Sequence, residues 1–201
     1  MNKSSLDHAI VHLSKDIKLN SLIKKYHIPQ LNISNNPFKS LIKYIIYQQL
    51  SIAAAKAIYT RFLDLLNNNP LPKDVLNIAN ETFQNIGLSK QKINYIYEIS
   101  KYFLSNRINF KNLDNVDIYK HLIQIKGVGP WTIDMFLMFT LCRLDILPLG
   151  DLGIKKGFKI LYKLDRLPTD QFMLQKSIKW IPYRSIASMY LWKVVDGDTT
   201  F

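Results

Sequence analysis

The sequence predicts an all-α fold, and three observations carry that prediction. Apolar residues recur at three-to-four spacing through most of the chain, the period of a helix with one buried face. No run of strict apolar–polar alternation, the mark of a half-buried strand, is present. Helix-opening residues stand directly before the periodic runs, as in Asn36-Pro37, Ser51 and Ser89. With 201 residues, of which 48% are hydrophobic, the chain has enough apolar surface for one core. The pattern predicts one helical domain over 1–201, a compact bundle of about ten helices.

In chain order, the N-terminal residues show a helical pattern that favours docking on the core. The next run, Phe38, Leu41, Tyr44, Ile45 and Gln48, follows a cap and proline start at Asn36-Pro37. Ser51 opens a helix whose face carries Ile52, Ala55, Ile58, Tyr59, Phe62, Leu65 and Leu66, ending in the turn Asn67-Asn68-Asn69-Pro70. Short helices are predicted over 74–79 and 80–86, with Gly87 as the stop signal. A longer one from Ser89 shows Ile93, Ile96, Tyr97, Ser100, Phe103 and Leu104. Another covers 117–125. The stretch from Trp131 to Cys142 is apolar on nearly every face, as a buried central helix requires. Helices over 152–164, 169–179 and 184–195 complete the chain.

Composition narrows the partners. Lys and Arg number 27 against 15 Asp and Glu, a formal charge of +12. From Ile17 to Leu63 there are seven bases and no acid. A cationic domain with a normal core fits nucleic acid first and an anionic membrane surface second, against the plain alternative of a lysine-rich soluble protein. Charges run through the first twenty residues and no apolar stretch reaches about 18 residues, so neither a signal peptide nor a membrane span is expected. A reducing intracellular compartment is expected. The single cysteine, Cys142, excludes a disulfide framework, a multi-cysteine zinc site and a four-cysteine iron–sulfur cluster.

Glycine is scarce and clustered: five of the seven lie between Gly127 and Gly157. In Lys126-Gly127-Val128-Gly129-Pro130-Trp131-Thr132 the two glycines permit positive φ and close backbone approach, and Pro130 suits a first helical turn. Such a helical hairpin can grip a phosphate through N–H groups at a helix N-terminus, or it can be an ordinary glycine-containing turn. Downstream, Asp151 falls just before a helical pattern, between Gly150 and Gly153. It suits an N-cap, and a helix N-terminus favours the ionised carboxylate. An anion beside a nucleic-acid groove repels phosphate, so a carboxylate lining such a groove points to chemistry: stabilising a sugar cation or orienting a water. Asp134, within the apolar helix, and Asp145, in the connection after it, are weaker choices. His8 and His12 stand at i, i+4 without a convincing third metal ligand, and His121 suits a packed or solvated role.

These residues resemble a known family, the helix–hairpin–helix DNA glycosylases with a Gly/Pro-rich loop and an aspartate, and within it the 3-methyladenine DNA glycosylase II branch. Four blocks carry the resemblance: Ile45 to Ala55 with its Gln48-Gln49 pair, Ile86-Gly87-Leu88-Ser89 with Lys92, the hairpin through Asp151 to Lys155, and Trp180 to Ala187 with Tyr190-Leu191-Trp192. They stand in the family's order over most of 38–195.

The resemblance implies two helical subdomains, 38–143 with the hairpin and 1–37 plus 144–201, with a DNA cleft between them. It implies that Asp151 is the essential aspartate and that Gln49 fills the duplex when a nucleotide is flipped out. Trp131 and Trp192 become base-pocket aromatics, with Trp180 read as core. Lys126, Gly127, Val128, Gly129 and Thr132 become the DNA-gripping turn. No cofactor is implied as required, but the family's hairpin often holds a monovalent cation on carbonyls here matched by Ile123, Ile125 and Val128. Relatives that also cut the strand carry a Schiff-base lysine where Trp131 stands, so the implied activity is monofunctional hydrolytic excision of alkylated purines such as 3-methyladenine, with Asp151 stabilising an oxocarbenium-like sugar. Met135 stands where some relatives have an aromatic, and 201 residues leave no room for the extra N-terminal domain of some bacterial members. The implied partner is double-stranded DNA with damaged bases, met by a monomer, in the cytoplasm of a bacterium or the nucleus of a eukaryote. Two alternatives stay open: a non-catalytic helix–hairpin–helix DNA-binding module, and a glycosylase for another lesion.

Overall fold

A computed structural model describes residues 3–27, 34 and 36–197. Among them the regular structure is entirely helical, with twelve α-helices and two short 3₁₀ turns. The two beyond the expected ten are α1 (Lys3–Leu13) and α2 (Ile17–Lys25), the latter capped by Asp16, which accepts from Lys18 N. Chain contacts define two units, a middle one of Ser34–Phe136 and a terminal one of Met1–Ile33 with Leu137–Phe201. The second division falls before the 143 read from the sequence. It lies inside a continuous helix, so no change of composition marks it.

The middle unit holds α3 (Pro37–Tyr47), α4 (Ile52–Asp64), α5 (Pro72–Leu76), α6 (Asn80–Asn85), α7 (Lys90–Ser105), α8 (Asn115–Ile123) and the start of α9 (Pro130–Phe139). Its helices begin where capping residues satisfy the first N–H groups. Asn36 accepts from Lys39 N, Ser51 from Ala54 N, Ser89 from Lys92 N and Asp114 from Asp117 N. α7 packs against α3, α5 and α6. The core between them contains Leu41, Ile45, Phe62, Phe83, Ile96 and Phe136, all without solvent exposure. Removing such side chains from water stabilises a fold by roughly 1.5–3 kcal/mol each. The asparagine turn after α4 forms as its composition predicts, with Asn67 and Asn68 at φ +49° and +61°.

The terminal unit holds α1, α2, the end of α9, α10 (Leu152–Tyr162), α11 (Asp170–Ser177) and α12 (Arg184–Asp196). The N-terminal helices dock as expected: α2 packs on α10 and α12, and α1 on the 3₁₀ turn Ile178–Trp180. Trp180 is fully buried, its ring 5.2 Å from that of Phe158, which confirms it as core. α10 and α12 approach closely at Gly157, where an added Cβ would lie 2.7 Å from the Leu191 carbonyl oxygen. Close helix packing is thus the reason for that glycine. α9 stops at Phe139, short of the expected Cys142. Cys142 takes φ +55° and the Arg143 N–H turns back to Leu137 O at 2.9 Å, which ends the ladder.

Candidate active site

Asp151 caps α10, as its position in the sequence predicts. Its Oδ1 accepts the Ile154 N–H at 2.8 Å, and it also accepts the indole N–H of Trp192 at 2.9 Å. The residue is buried at 8% exposure. Two donors converge on one oxygen and orient the carboxylate. Trp192 comes from α12, and its ring lies 5.9 Å from that of Phe139. Gly153 is the residue that makes room. A Cβ there would lie 2.8 Å from Trp192 Cδ1 and 3.0 Å from Asp151 Oδ1. Gly150 meets nothing on that test, so only the second of the two flanking glycines is sterically required.

The chain leading to Asp151 is fastened to the first turn of α12. Arg184 holds the Asp145 carboxylate through two nitrogens at 2.6 and 2.8 Å, a bidentate pair. The Ser185 hydroxyl donates to Arg143 O and accepts from Ile146 N, and Ser185 N donates to Leu144 O. Asp145 therefore has a structural partner. One helix secures the approach to the carboxylate at its start and the carboxylate itself near its end.

In the middle unit, the hairpin between α8 and α9 is built around Gly127. That residue has φ +93°, and an added Cβ would overlap the Tyr95 ring. Gly129 does not use positive φ, and a Cβ there would enter open space. Lys126 is exposed. The other two residues read as DNA contacts take supporting roles instead. Thr132 is fully buried and its hydroxyl accepts from Gln48 Nε2 at 2.9 Å. Val128 is buried and its N–H donates to Ile125 O at 3.0 Å. Of these turn residues, Lys126 and the two glycines are thus the ones that are not buried.

Two residues quoted in the sequence blocks without a role hold this turn. Gln48 caps α3 and reaches both Gly127 O, at 3.2 Å, and Thr132. Lys92 donates its ammonium to Ile46 O and Gln48 O at 2.7 and 2.8 Å, neutralising the carbonyl end of α3. Burial pushes the Lys92 ammonium below its ordinary value of 10.5. The signal for both was the fixed spacing of the blocks, but neither type announces a cap from its place in a helical pattern.

Gln49, next to this clamp, is exposed and sits at φ +56°, a conformation costly for a residue with a side chain. It borders a cavity of about 370 Å³ lined also by Gly87, Ser89, Lys92, Tyr95 and Gly127. Trp131 is half-buried at the start of α9, and Met135, one turn on, is fully buried. The structure therefore brings Gln49 to the hairpin glycine within one unit, and Asp151 to Trp192 within the other.

His12 Nε2 donates to Lys179 O, 3.1 Å away, and the ring packs edge-on to Tyr183. Among the described residues no group of three or more His, Cys, Asp or Glu could hold a metal ion. No described helix is long and apolar enough to cross a membrane.

Comparison with known proteins accounts for this arrangement. The chain is 34% identical to DNA-3-methyladenine glycosylase 1 of Schizosaccharomyces pombe over 200 residues, covering 94% of this chain and 88% of that one. The fold matches the solved 3-methyladenine DNA glycosylase of the same yeast in complex with abasic DNA, with a TM-score of 0.87, 33% identity, and coverage of 96% and 100%. It also matches a DNA-3-methyladenine glycosidase from Bacillus halodurans, with a TM-score of 0.77, 35% identity, and coverage of 92% and 87%. Residues 42–183 match the family model described as HhH-GPD superfamily base excision DNA repair protein. A carboxylate on a helix N-terminus, a glycine hairpin and an all-helical frame thus belong together, and the chain is a member of the HhH-GPD superfamily of base excision DNA repair proteins.

Proposed function

We propose that this protein is a monofunctional DNA glycosylase that excises alkylated purines, such as 3-methyladenine, from double-stranded DNA. The observation that carries the reading is the buried Asp151 carboxylate, held by the α10 N-terminus and the Trp192 N–H, in a strongly cationic chain of this family. A non-catalytic binding module gains nothing from such a charge beyond a helix cap.

Alkylation of a purine ring nitrogen puts positive charge on the base and makes it a good leaving group. The protein then needs no strong acid. The C1′–N bond breaks with its electrons leaving on the base, and the sugar becomes oxocarbenium-like. Asp151 stabilises that cation and orients the water that adds at C1′, whose proton passes to solvent. The products are a free base and an abasic site. Trp131 stacks on the flipped cationic base through its ring face. Gln49, exposed and held at φ +56°, fills the space left in the duplex. Lys126, Gly127 and Gly129 carry the phosphate contact, which positions the enzyme without reading sequence.

The carbonyls of Ile123, Ile125 and Val128 would offer a neutral all-oxygen donor set, a chemistry suited to an alkali cation and unsuited to a transition metal. Ile125 O already accepts from Val128 N, and its second lone pair remains to coordinate. Bound there, a monovalent cation would add positive charge beside the phosphate. In this reading the protein acts as a monomer, in the compartment that holds its DNA.

Trp131 replaces the amine that a strand-cutting mechanism requires. The test is a duplex carrying 3-methyladenine beside a panel of deaminated and oxidised lesions. Release of free 3-methyladenine, with the strand intact until alkali is added, is the expected result. Release of only another lesion, or strand cleavage without alkali, would contradict the reading.

A further inference from the structure

We propose that Trp192 serves the reaction as a positioning residue for Asp151, through its indole N–H and not through its ring face, and that Gly153 is the opening that admits it. The inference rests on the glycosylase reading and reassigns a residue that the sequence places in the base pocket.

Three observations converge. The indole nitrogen lies 2.9 Å from Asp151 Oδ1, the same oxygen that accepts the Ile154 N–H at 2.8 Å. Trp192 is 8% exposed, so little of its ring is left to receive a base, and Phe139 already packs against it. Gly153 stands where any side chain would strike both partners, at 2.8 Å from Trp192 Cδ1 and 3.0 Å from Nε1 and from Oδ1. The close α10–α12 contact at Gly157 and Leu191 lies one residue from Trp192 and holds the indole at that depth.

One donor on a carboxylate oxygen leaves the group free to rotate about its Cβ–Cγ bond. Two donors from different directions fix it. Preorganised donors of this kind contribute strongly in a dry site because they need not reorganise as charge develops. The arrangement also explains a constraint the cap alone does not impose. An N-cap tolerates alanine two residues on, whereas this site does not.

The experiment is single-turnover base release from a 3-methyladenine duplex, with DNA affinity measured separately. Trp192→Phe keeps an aromatic ring beside Phe139 but removes the donor. Its rate should fall on the order of 10- to 100-fold, with affinity changed less than about twofold. Gly153→Ala keeps the donor but displaces it, and should lose rate to a similar extent. Adding Trp192→Phe to Asp151→Asn should cost nothing further, because the two act as one unit. A readout independent of activity is the Trp192 indole N–H resonance, which should be protected from exchange in the wild type and lose that protection in Asp151→Ala. A Trp192→Phe protein that keeps its rate but binds damaged DNA weakly would overturn the proposal in favour of ring stacking. A Gly153→Ala protein with full rate would overturn it whether or not Trp192→Phe folds. Failure of the wild type to release any base would instead strike at the glycosylase reading, and the indole resonance would still report on the contact.

Discussion

Asp16 is as buried as Asp151, but its partners give it a different task. It accepts from the Trp180 indole at 2.7 Å and the Lys18 N–H at 3.0 Å, and pairs with the Lys179 ammonium at 3.0 Å. Burial alone would raise its carboxyl. The hydrogen bonds from Trp180, Lys179 and Lys18 outweigh that and hold it below the ordinary 3.8. A carboxyl that binds its proton less tightly when folded stabilises the fold above the unfolded value, and that contribution is lost as the pH falls through the folded value. Asp16→Asn should therefore lose about 1–3 kcal/mol near neutral pH, where the charge-assisted bonds are made. Its unfolding free energy should fall less than the wild type's between about pH 5 and pH 2. Denaturant unfolding across that range checks both. At this scale the sequence was a partial guide. The place of Asp151 before a helix exposed its cap, but the donors from Trp192 to Asp151 and from Trp180 to Asp16 cross 41 and 164 residues, and no local pattern encodes them.

The hairpin and its supports are the element in which one residue type takes different roles. Gly127 is required by the fold, through φ +93° and the Tyr95 ring, whereas Gly129 faces open space with ordinary φ. Gly127→Ala should destabilise the protein by more than about 1–2 kcal/mol, the cost of left-handed backbone alone. Gly129→Ala should leave the melting temperature within a few degrees but weaken binding to undamaged duplex, because a methyl group then meets the phosphate. Thermal unfolding and a binding titration at fixed salt separate the two, and equal effects on both quantities would contradict the assignment. The caps at Asn36, Ser51, Ser89 and Asp151 were legible because a capping side chain acts within three residues. Helix ends were less so. α9 stops because Cys142 enters the left-handed region and the backbone turns back to Leu137, events that an apolar run does not announce. The clamp of Gln48 and Lys92 on the hairpin escaped local reading for the same reason: both side chains reach across the unit to backbone carbonyls.

For the whole molecule, the helical class followed from period and composition, and the charge of +12 indicated a polyanion partner. Neither named the chemistry. That came from the clustered glycines, the carboxylate placed just before a helix, and the resemblance of these blocks to the helix–hairpin–helix DNA glycosylases. In the proposed reaction this carboxylate is the group that carries the chemistry. That role is tested most directly by the single-turnover rate of base release from a 3-methyladenine duplex, compared between wild type and Asp151→Asn. The asparagine keeps a side-chain oxygen for the Ile154 and Trp192 donors but removes the charge. The expected result is rapid release by the wild type and a loss of at least about 100-fold in the variant, with DNA affinity preserved or improved. Equal rates for the two proteins would contradict the account.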